Sequence, residues 1–205
     1  MGKYYEISLL TNCAKKYGNF LNDYEPYQEI REFRKIYQPF YGFSNKPIIF
    51  VRDDSYKNDE PISDFLLNDW GEIIVSQRIY DMLKEKYSSE MDFYECYAKD
   101  GDELKPYYIL RRKYVLDVLD KSFYSHIDPV FGVMRNILID DIPENHNFFD
   151  VKHGTINVIS RKLYKDLKAL NPTNFETTSI ATTSEELAAR ERIAKKKEKQ
   201  TALDN

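Results

Sequence analysis

The second quarter of the chain has a hydrophobic pattern that predicts a strand leading directly into a helix. Residues 73–75 are three consecutive β-branched apolar residues, and Ser76 follows them. A serine hydroxyl can accept a hydrogen bond from a free amide in the first turn of a helix, so we predict that Ser76 is an N-cap. Ile79 and Leu83 are four positions apart, which places them on one face of that helix, where they can pack on a sheet.

The same pattern occurs a second time later in the chain. Aligned on their serines, the segments that begin at Ser76 and Ser160 both read Ser-x-(Arg/Lys)-(Ile/Leu)-Tyr-x-x-Leu. Two interpretations are open. The pattern can be a favourable strand-to-helix junction that is used twice, or it can be an internal duplication with a shared structural role. Neither interpretation gives the two serines a chemical role.

Apolar runs and alternating patterns predict further strands. They cover residues 4–10, 47–51 and 91–97. Residues 107–110 are predicted to pair with residues 91–97 as a hairpin, with its turn at residues 100–102.

Two more segments complete the predicted fold. Apolar residues at helical spacing, with a proline near each end, predict an amphipathic helix over residues 26–38. Residues 133–139 are a further strand candidate. Together the elements predict an α+β fold with a mixed or mainly antiparallel sheet, packed helices, two similar strand-Ser-helix units and a C-terminal helical tail.

The pattern of a folded domain stops after residue 171. Residues 177–183 are small and polar, a composition typical of a linker. Residues 183–186 have the spacing of a capping box and begin a helix with few apolar residues, so we expect a fraying appendage. The sequence thus predicts one domain over residues 1–176, followed by a linker and a charged helical tail over residues 177–205.

The composition is that of a soluble globular protein. Of 205 residues, 42% are hydrophobic and 31% are charged. No apolar run approaches the roughly 20 residues of a membrane span, and the N-terminus lacks a signal-peptide core, so we expect a cytoplasmic protein without a membrane partner. The net charge of −4 argues mildly against nucleic acid as a partner. The 17 tyrosines suit a contact surface, although a biased genome is an equally good explanation.

Residues 53–64 carry five acidic residues and one basic residue. Such a run is ordinarily a solvated loop. If it has a function, its charge indicates a basic partner or a divalent cation, and the lack of a glycine argues against a calcium-binding loop. We predict that a partner-binding surface lies here. Its candidate residues are Asp53, Asp54, Tyr56, Asp59, Glu60, Asp64 and Trp70.

The sequence contains no recognisable catalytic motif. The three histidines, His126, His146 and His153, have neither helical ligand spacing nor a neighbouring cysteine, so no metal site is predicted. A nucleophile formed by a histidine with Cys13 or Cys96 stays open but has no support in the pattern. We predict no catalytic residue and no cofactor, which favours binding over catalysis.

Short sequence words over residues 64–170 resemble a known family. They include Asp64-Phe65-Leu66, Ile74-Val75-Ser76, Phe93-Tyr94 and Tyr107-Tyr108-Ile109-Leu110, in this order, and the N-terminal strand carries Tyr4-Tyr5-Glu6-Ile7. In this respect the chain is similar to immunity family eleven of the bacterial polymorphic toxin systems, which was first described as a domain of unknown function.

The resemblance implies a small cytoplasmic protein that binds and blocks a toxin encoded beside it. It implies no catalytic residue. We therefore expect neutralisation of a cognate toxin, with a basic surface, by direct non-catalytic binding. Two alternatives stay open: an enzyme that reverses a toxin modification, and an adaptor that docks through its helical tail. The sequence does not determine an oligomeric state.

Overall fold

The computed structural model describes residues 2–8, 17–22, 27–35, 38–44, 46–56, 61–123, 136–143, 145–152 and 156–203. The strands are β1 Tyr4–Ser8, β2 Phe20–Asn22, β3 Ile49–Arg52, β4 Phe65–Leu66, β5 Ile74–Ser76, β6 Met91–Asp100, β7 Glu103–Arg112, β8 Val115–Leu116, β9 Phe148–Val151, β10 Asn157–Ser160 and β11 Glu176–Ile180. The helices are α1 Tyr27–Phe33, α2 Gln77–Tyr87, α3 Arg161–Ala169 and α4 Thr183–Leu203. The predicted α+β fold with mixed and antiparallel strand pairing is confirmed.

The larger sheet has the strand order β2-β3-β6-β7-β5-β4, and it curls until its ends meet. The Phe20 amide on β2 donates to the Leu67 carbonyl at 3.0 Å, and the Asp69 amide donates to the Phe20 carbonyl at 3.1 Å, just beyond β4. Each strand therefore turns alternate side chains into a common interior. The buried interior side chains are Phe20, Phe50, Leu66, Ile74, Cys96, Ala98, Tyr107 and Ile109, with Phe33 of α1 packed against them.

The second sheet has the order β11-β1-β10-β9-β8. Its pairings are antiparallel except that β8 and β9 are parallel. One face of this sheet packs against the segments around Leu119 and Leu138. The opposite face shares a third core with the outside of the curled sheet, and α2 and α3 lie in that core.

Several predicted elements are present with different bounds. The predicted hairpin is confirmed, and its strands β6 and β7 each extend over ten residues. Its turn contains Gly101 at φ 58°, a backbone conformation that favours glycine. The predicted helix over residues 26–38 is shorter, since α1 ends at Phe33. In the predicted strand over residues 133–139, only residues 136–139 are described. There Leu138 makes isolated bridges, because this segment covers a core instead of joining a ladder.

The linker predicted over residues 177–183 is instead a strand and the start of a helix. All five residues of β11 pair with β1, from Tyr4 opposite Ile180 to Ser8 opposite Glu176. Two threonines in this strand are polar but β-branched, so they suit a half-exposed edge strand as well as a loop. Composition alone could not separate the two.

The helical tail begins one residue earlier than predicted. The Thr182 carbonyl accepts the first helical hydrogen bond from the Glu186 amide at 2.9 Å. The Glu185 carboxylate accepts from the Thr182 amide at 3.1 Å. The Glu185 carboxylate therefore makes one of the two hydrogen bonds of a capping box, the bond from the side chain at the third helical position back to the N-cap amide of Thr182. From residue 190 to residue 200, every residue of α4 is exposed.

The two strand-Ser-helix units make the same contacts. In the first unit, the Ser76 amide donates to the Asp64 carbonyl at 2.8 Å, and the Ser76 hydroxyl donates to the Asp64 carboxylate at 2.7 Å. In the second unit, the Ser160 amide donates to the Asn147 carbonyl at 2.9 Å, and the Ser160 hydroxyl donates to the Asn147 side-chain oxygen at 2.7 Å. The predicted side-chain cap forms only at Ser160, whose hydroxyl also accepts from the Leu163 amide.

The likeness extends to the neighbouring strand of each unit. Tyr80 of α2 stacks on Tyr108 of β7 at 3.6 Å between ring centres, and Tyr164 of α3 stacks on Tyr5 of β1 at 4.1 Å. Tyr108 pairs with the residue before Ser76, just as Tyr5 pairs with the residue before Ser160. Thus β1 occupies in the second unit the place that β7 occupies in the first. A junction used twice does not require these matching contacts, so they favour the duplication.

Each unit also holds the segment that follows the helix of the other. The Asp64 carboxylate accepts from the Thr173 amide, beyond α3, at 2.8 Å. The Glu90 carboxylate, beyond α2, accepts from the Phe148 amide at 2.9 Å. These reciprocal contacts lie at the edge of the shared core, and they fix the two sheets relative to each other.

Candidate functional site

Asp64, one of the predicted partner-binding residues, is engaged within the protein. Its carboxylate accepts from the Arg78 side chain, with Nε at 2.7 Å, and from Ser76 and Thr173. Burial by itself raises the pKa of Asp64, but the hydrogen bonds from Arg78, Thr173 and Ser76 outweigh burial and lower it to about 2. Arg78 also donates to the Leu170 carbonyl at 2.8 Å. The carboxylate is therefore a structural anchor for the end of α3.

Trp70, a second predicted contact residue, lies in the interior of the curled sheet. Only 7% of its surface is exposed. Its indole ring packs edge-on against Phe50, with 5.0 Å between ring centres, and at a tilt against Phe43, with 5.7 Å between ring centres. The side chain is part of the core inside the curled sheet.

The other predicted contact residues belong to the acidic segment after β3. Asp54 is exposed, and Asp53 is half-buried with its carboxylate accepting from the Ser55 amide at 2.9 Å. The side chain of Tyr56 is outside the described part of the chain, and so are Asp59 and Glu60. Of the seven predicted contact residues, the structure thus places Asp53 and Asp54 at the surface.

The structure brings a second acidic segment next to Asp53 and Asp54. Strands β3 and β6 are parallel, and the buried guanidinium of Arg52 pairs with the Asp100 carboxylate at 3.2 Å. The exposed acids of the β6–β7 turn therefore lie at the same end of the sheet. We name this set the acidic rim; its members are Asp53, Asp54, Asp102 and Glu103. Lys105 neutralises part of its charge through a 3.0 Å contact with Glu103.

Beside the acidic rim, the outer surface of the curled sheet exposes apolar side chains. Leu21 lies opposite Val51 on neighbouring strands, and Ile49 lies opposite Tyr97. Leu104 of β7 is opposite Lys99 in the same cross-strand row as Val51. Exposure reaches 42% for Leu21 and 51% for Leu104, and the other apolar members are partly exposed. We name Leu21, Ile49, Val51, Tyr97 and Leu104 the open sheet face.

A helix covers the same outer surface farther along the same strands. There Phe93 and Leu110 lie under α2, whose Tyr80 packs edge-on against Phe93 at 5.0 Å. Tyr108 forms the border, half-buried, with its hydroxyl donating to Gln77 at 2.7 Å. The open sheet face is therefore the part of this surface that α2 does not reach.

The residues of the face escape sequence analysis for two reasons. Leu21 lies in a three-residue strand, which is too short for a periodic pattern. Leu104 and Glu103 lie in β7 outside the segment recognised as strand, and Asp102 is expected as an ordinary turn residue. The useful signal is the large outward-facing leucine in a strand whose inward residues are already apolar.

No family model matches the chain. No curated protein sequence matches it either.

Of the five histidine and cysteine residues in the sequence, the structure describes His146 and Cys96. In the described part of the chain, no three His, Cys, Asp or Glu side chains are grouped closely enough to hold a metal ion. Burial raises the pKa of the Cys96 thiol well above its usual value, the opposite of what an activated nucleophile requires. His146 packs against Tyr114 at 4.4 Å, while Cys13, His126 and His153 are outside the described ranges.

The helices that the structure describes include none with the length and apolar character of a membrane span.

Proposed function

We propose that this protein is an immunity protein, which neutralises a cognate bacterial toxin by direct, non-catalytic binding. The observation that carries the proposal is the open sheet face. Leucines that are half-exposed on a sheet surface, grouped with Ile49, Val51 and Tyr97, are typical of an interaction site. Covering such a surface releases roughly 25 cal/mol for each Å² of apolar area. The sequence resemblance described above supports the same function.

The acidic rim supports a basic toxin surface as the partner. Four carboxylates next to the open sheet face favour a toxin surface that carries lysine and arginine around an apolar centre. The whole chain is also acidic, with a net charge of −4. Complementary charge accelerates encounter and makes the association rate depend on salt.

The test begins with a pull-down that uses this protein as bait and a lysate of its bacterial host. The partner that is recovered is then expressed in bacteria with and without this protein, and growth is measured. We expect growth arrest that is relieved when the two proteins are present in equal amounts. Relief at a small fraction of that amount contradicts stoichiometric inhibition and points to an enzyme. A partner that does not arrest growth contradicts the immunity function.

The surface is tested with two substitutions and a matched control. We expect Leu104→Asp, and likewise Leu21→Asp, to weaken partner binding by about tenfold or more, because a large apolar contact is lost and a carboxylate takes its place. Leu187→Asp is the control, since Leu187 on α4 is 54% exposed and lies outside the face. Equal affinities for all three variants would remove the open sheet face from consideration.

Charge reversal tests the acidic rim separately. Asp54→Lys is expected to slow association and to reduce its salt dependence, while the thermal transition stays unchanged. Asp141→Lys is the control, because Asp141 is an exposed acid elsewhere on the protein. If the control slows association equally, the net charge of the protein matters and the rim does not.

A second candidate function rests on α4. Four basic residues at helical spacing, Arg192, Lys195, Lys196 and Lys199, lie on one face of its exposed part. An adaptor that docks through this face on an acidic partner is the alternative. Deleting residues 187–205 tests it: loss of the partner supports the adaptor, whereas retained toxin binding supports the open sheet face.

A further inference from the structure

An open pocket of about 350 Å³ lies on the second sheet, away from the open sheet face. It is formed by β1, β11, the segment around Asn136 and the first turn of α4. Two carboxylates line it, Glu6 from β1 and Glu186 from α4, together with Asn136 and Thr178. Ile137 and Ile180 supply apolar walls. A pocket of this size is within the range of small-ligand sites, roughly 300–1,000 Å³.

The two carboxylates differ in their surroundings. Glu186 is 9% exposed and accepts from the Arg190 guanidinium at 2.8 Å. Glu6 is half-buried, and within the described part of the chain its carboxylate makes no hydrogen bond or ion pair. Burial raises the pKa of Glu6 above its usual value. The pocket therefore contains a partly desolvated carboxylate that lacks a compensating positive charge among the described residues.

The first unit shows which side chains fill the matching position when it is used for packing alone. Glu6 lies opposite Thr178 on β11, and the matching position of the first unit, Ile109, lies opposite Tyr94 on β6. Ile109 is fully buried, and the Tyr94 ring packs against Phe33 at 5.6 Å. In the first unit, Ile109 and Tyr94 fill this position with apolar and aromatic side chains. In the second unit, the same position holds the Glu6 carboxylate, the Thr178 hydroxyl and the pocket. Packing does not explain Glu6.

We propose that this pocket binds a cationic amine or guanidinium group. A carboxylate at Glu6, with hydroxyl and amide oxygens nearby, complements a donor-rich cation. The described residues offer no third acidic or histidine ligand for a metal ion here. The group comes either from a free small molecule or from a lysine or arginine side chain of a partner. The site does not depend on the proposed toxin binding.

Calorimetric titration of the full chain distinguishes the two sources. The probes are agmatine and a capped Ala-Arg-Ala tripeptide, at neutral pH and low salt. Binding of agmatine alone identifies a small-molecule site, and binding of the peptide identifies a site for a protein side chain. We expect Glu6→Gln to weaken the bound probe by at least about tenfold, since a charge-assisted hydrogen bond is lost. Glu176→Gln removes an exposed carboxylate of β11 and should leave the affinity unchanged.

A further variant separates binding from folding. Glu6→Ile introduces the side chain found at the matching position, so we expect a thermal transition at least as high as that of the wild type and no binding of either probe. The proposal is overturned if the wild type binds neither probe at millimolar concentration, or if Glu6→Gln retains the wild-type affinity.

Discussion

Replacement of Asp64 by asparagine tests how the first unit is held to the end of α3. In the native protein, the Asp64 carboxylate accepts two hydrogen bonds from the Arg78 guanidinium and further bonds from Thr173. Asn147 occupies the matching position of the second unit, where its side-chain amide donates to the Glu90 carboxylate at 2.6 Å. An asparagine at position 64 therefore fits the site sterically. Its side-chain NH₂ group, however, would point at Arg78 and Thr173, which both donate hydrogen bonds to the native carboxylate.

The magnitude follows from the pKa of Asp64. That pKa is lowered from 3.8 to about 2 in the folded protein. A difference of this size corresponds to about 2 kcal/mol, and we reduce it to about 1–2 kcal/mol because solvent screens the half-exposed Arg78 side chain. Since the folded pKa is depressed, this stability is fully present above about pH 4, and it is lost as the pH falls from about 4 to about 2.

Urea unfolding of the wild type and of Asp64→Asn at pH 7 and at pH 3 provides the assay. We expect the variant to be less stable by about 2 kcal/mol at pH 7, because an ion pair is lost and one donor is left facing donors. The difference should shrink at pH 3. A loss below about 0.5 kcal/mol at pH 7, or an equal loss at both pH values, would refute the reasoning.

Three further predictions concern other buried groups. Burial raises the pKa of Asp150 to about 6 despite the ion pair with Arg112. Deprotonation of Asp150 should therefore lower the free energy of unfolding by about 1–3 kcal/mol as the pH rises from about 4 to 6. Unfolding curves of Asp150→Asn should not show this pH dependence. Asn147→Asp places a carboxylate against Glu90 and should cost about 2 kcal/mol in urea unfolding at pH 7, with recovery at acidic pH. Cys96 is fully buried, so in a Cys13→Ser variant, which leaves Cys96 as the single thiol of the chain, a thiol reagent should react only in denaturant. Rapid labelling of that variant in its folded state contradicts this prediction.

The candidate site was only partly accessible to sequence reasoning. The charge of Asp53 and Asp54 is evident in the chain, and the structure places both at the surface. The burial of Trp70 was not evident, because a single aromatic residue after an acidic loop suits a surface and a core equally well. Asp64 looked like part of the acidic run, but its charge is directed at Arg78.

The sequence by itself determined the local elements of this protein. Consecutive β-branched residues, a serine and an apolar helical face specify each strand-Ser-helix unit, and the alternating pattern around Gly101 specifies the β6–β7 hairpin. These signals are local, since each depends on residues that are neighbours in the chain. They were sufficient for the α+β class and for the likeness of the two units.

The tertiary structure alone decided which strands pair over long distances. The parallel pairing of β3 with β6 joins two acidic segments into one rim, and the pairing of β11 with β1 turns an apparent linker into part of a sheet. Strands carry no local mark of their partner, because a backbone ladder can form with any strand of suitable length and the choice depends on the side chains buried on both faces. For the same reason, the exposed face of Leu21 and Leu104 and the pocket beside Glu6 appear only when the chain is folded.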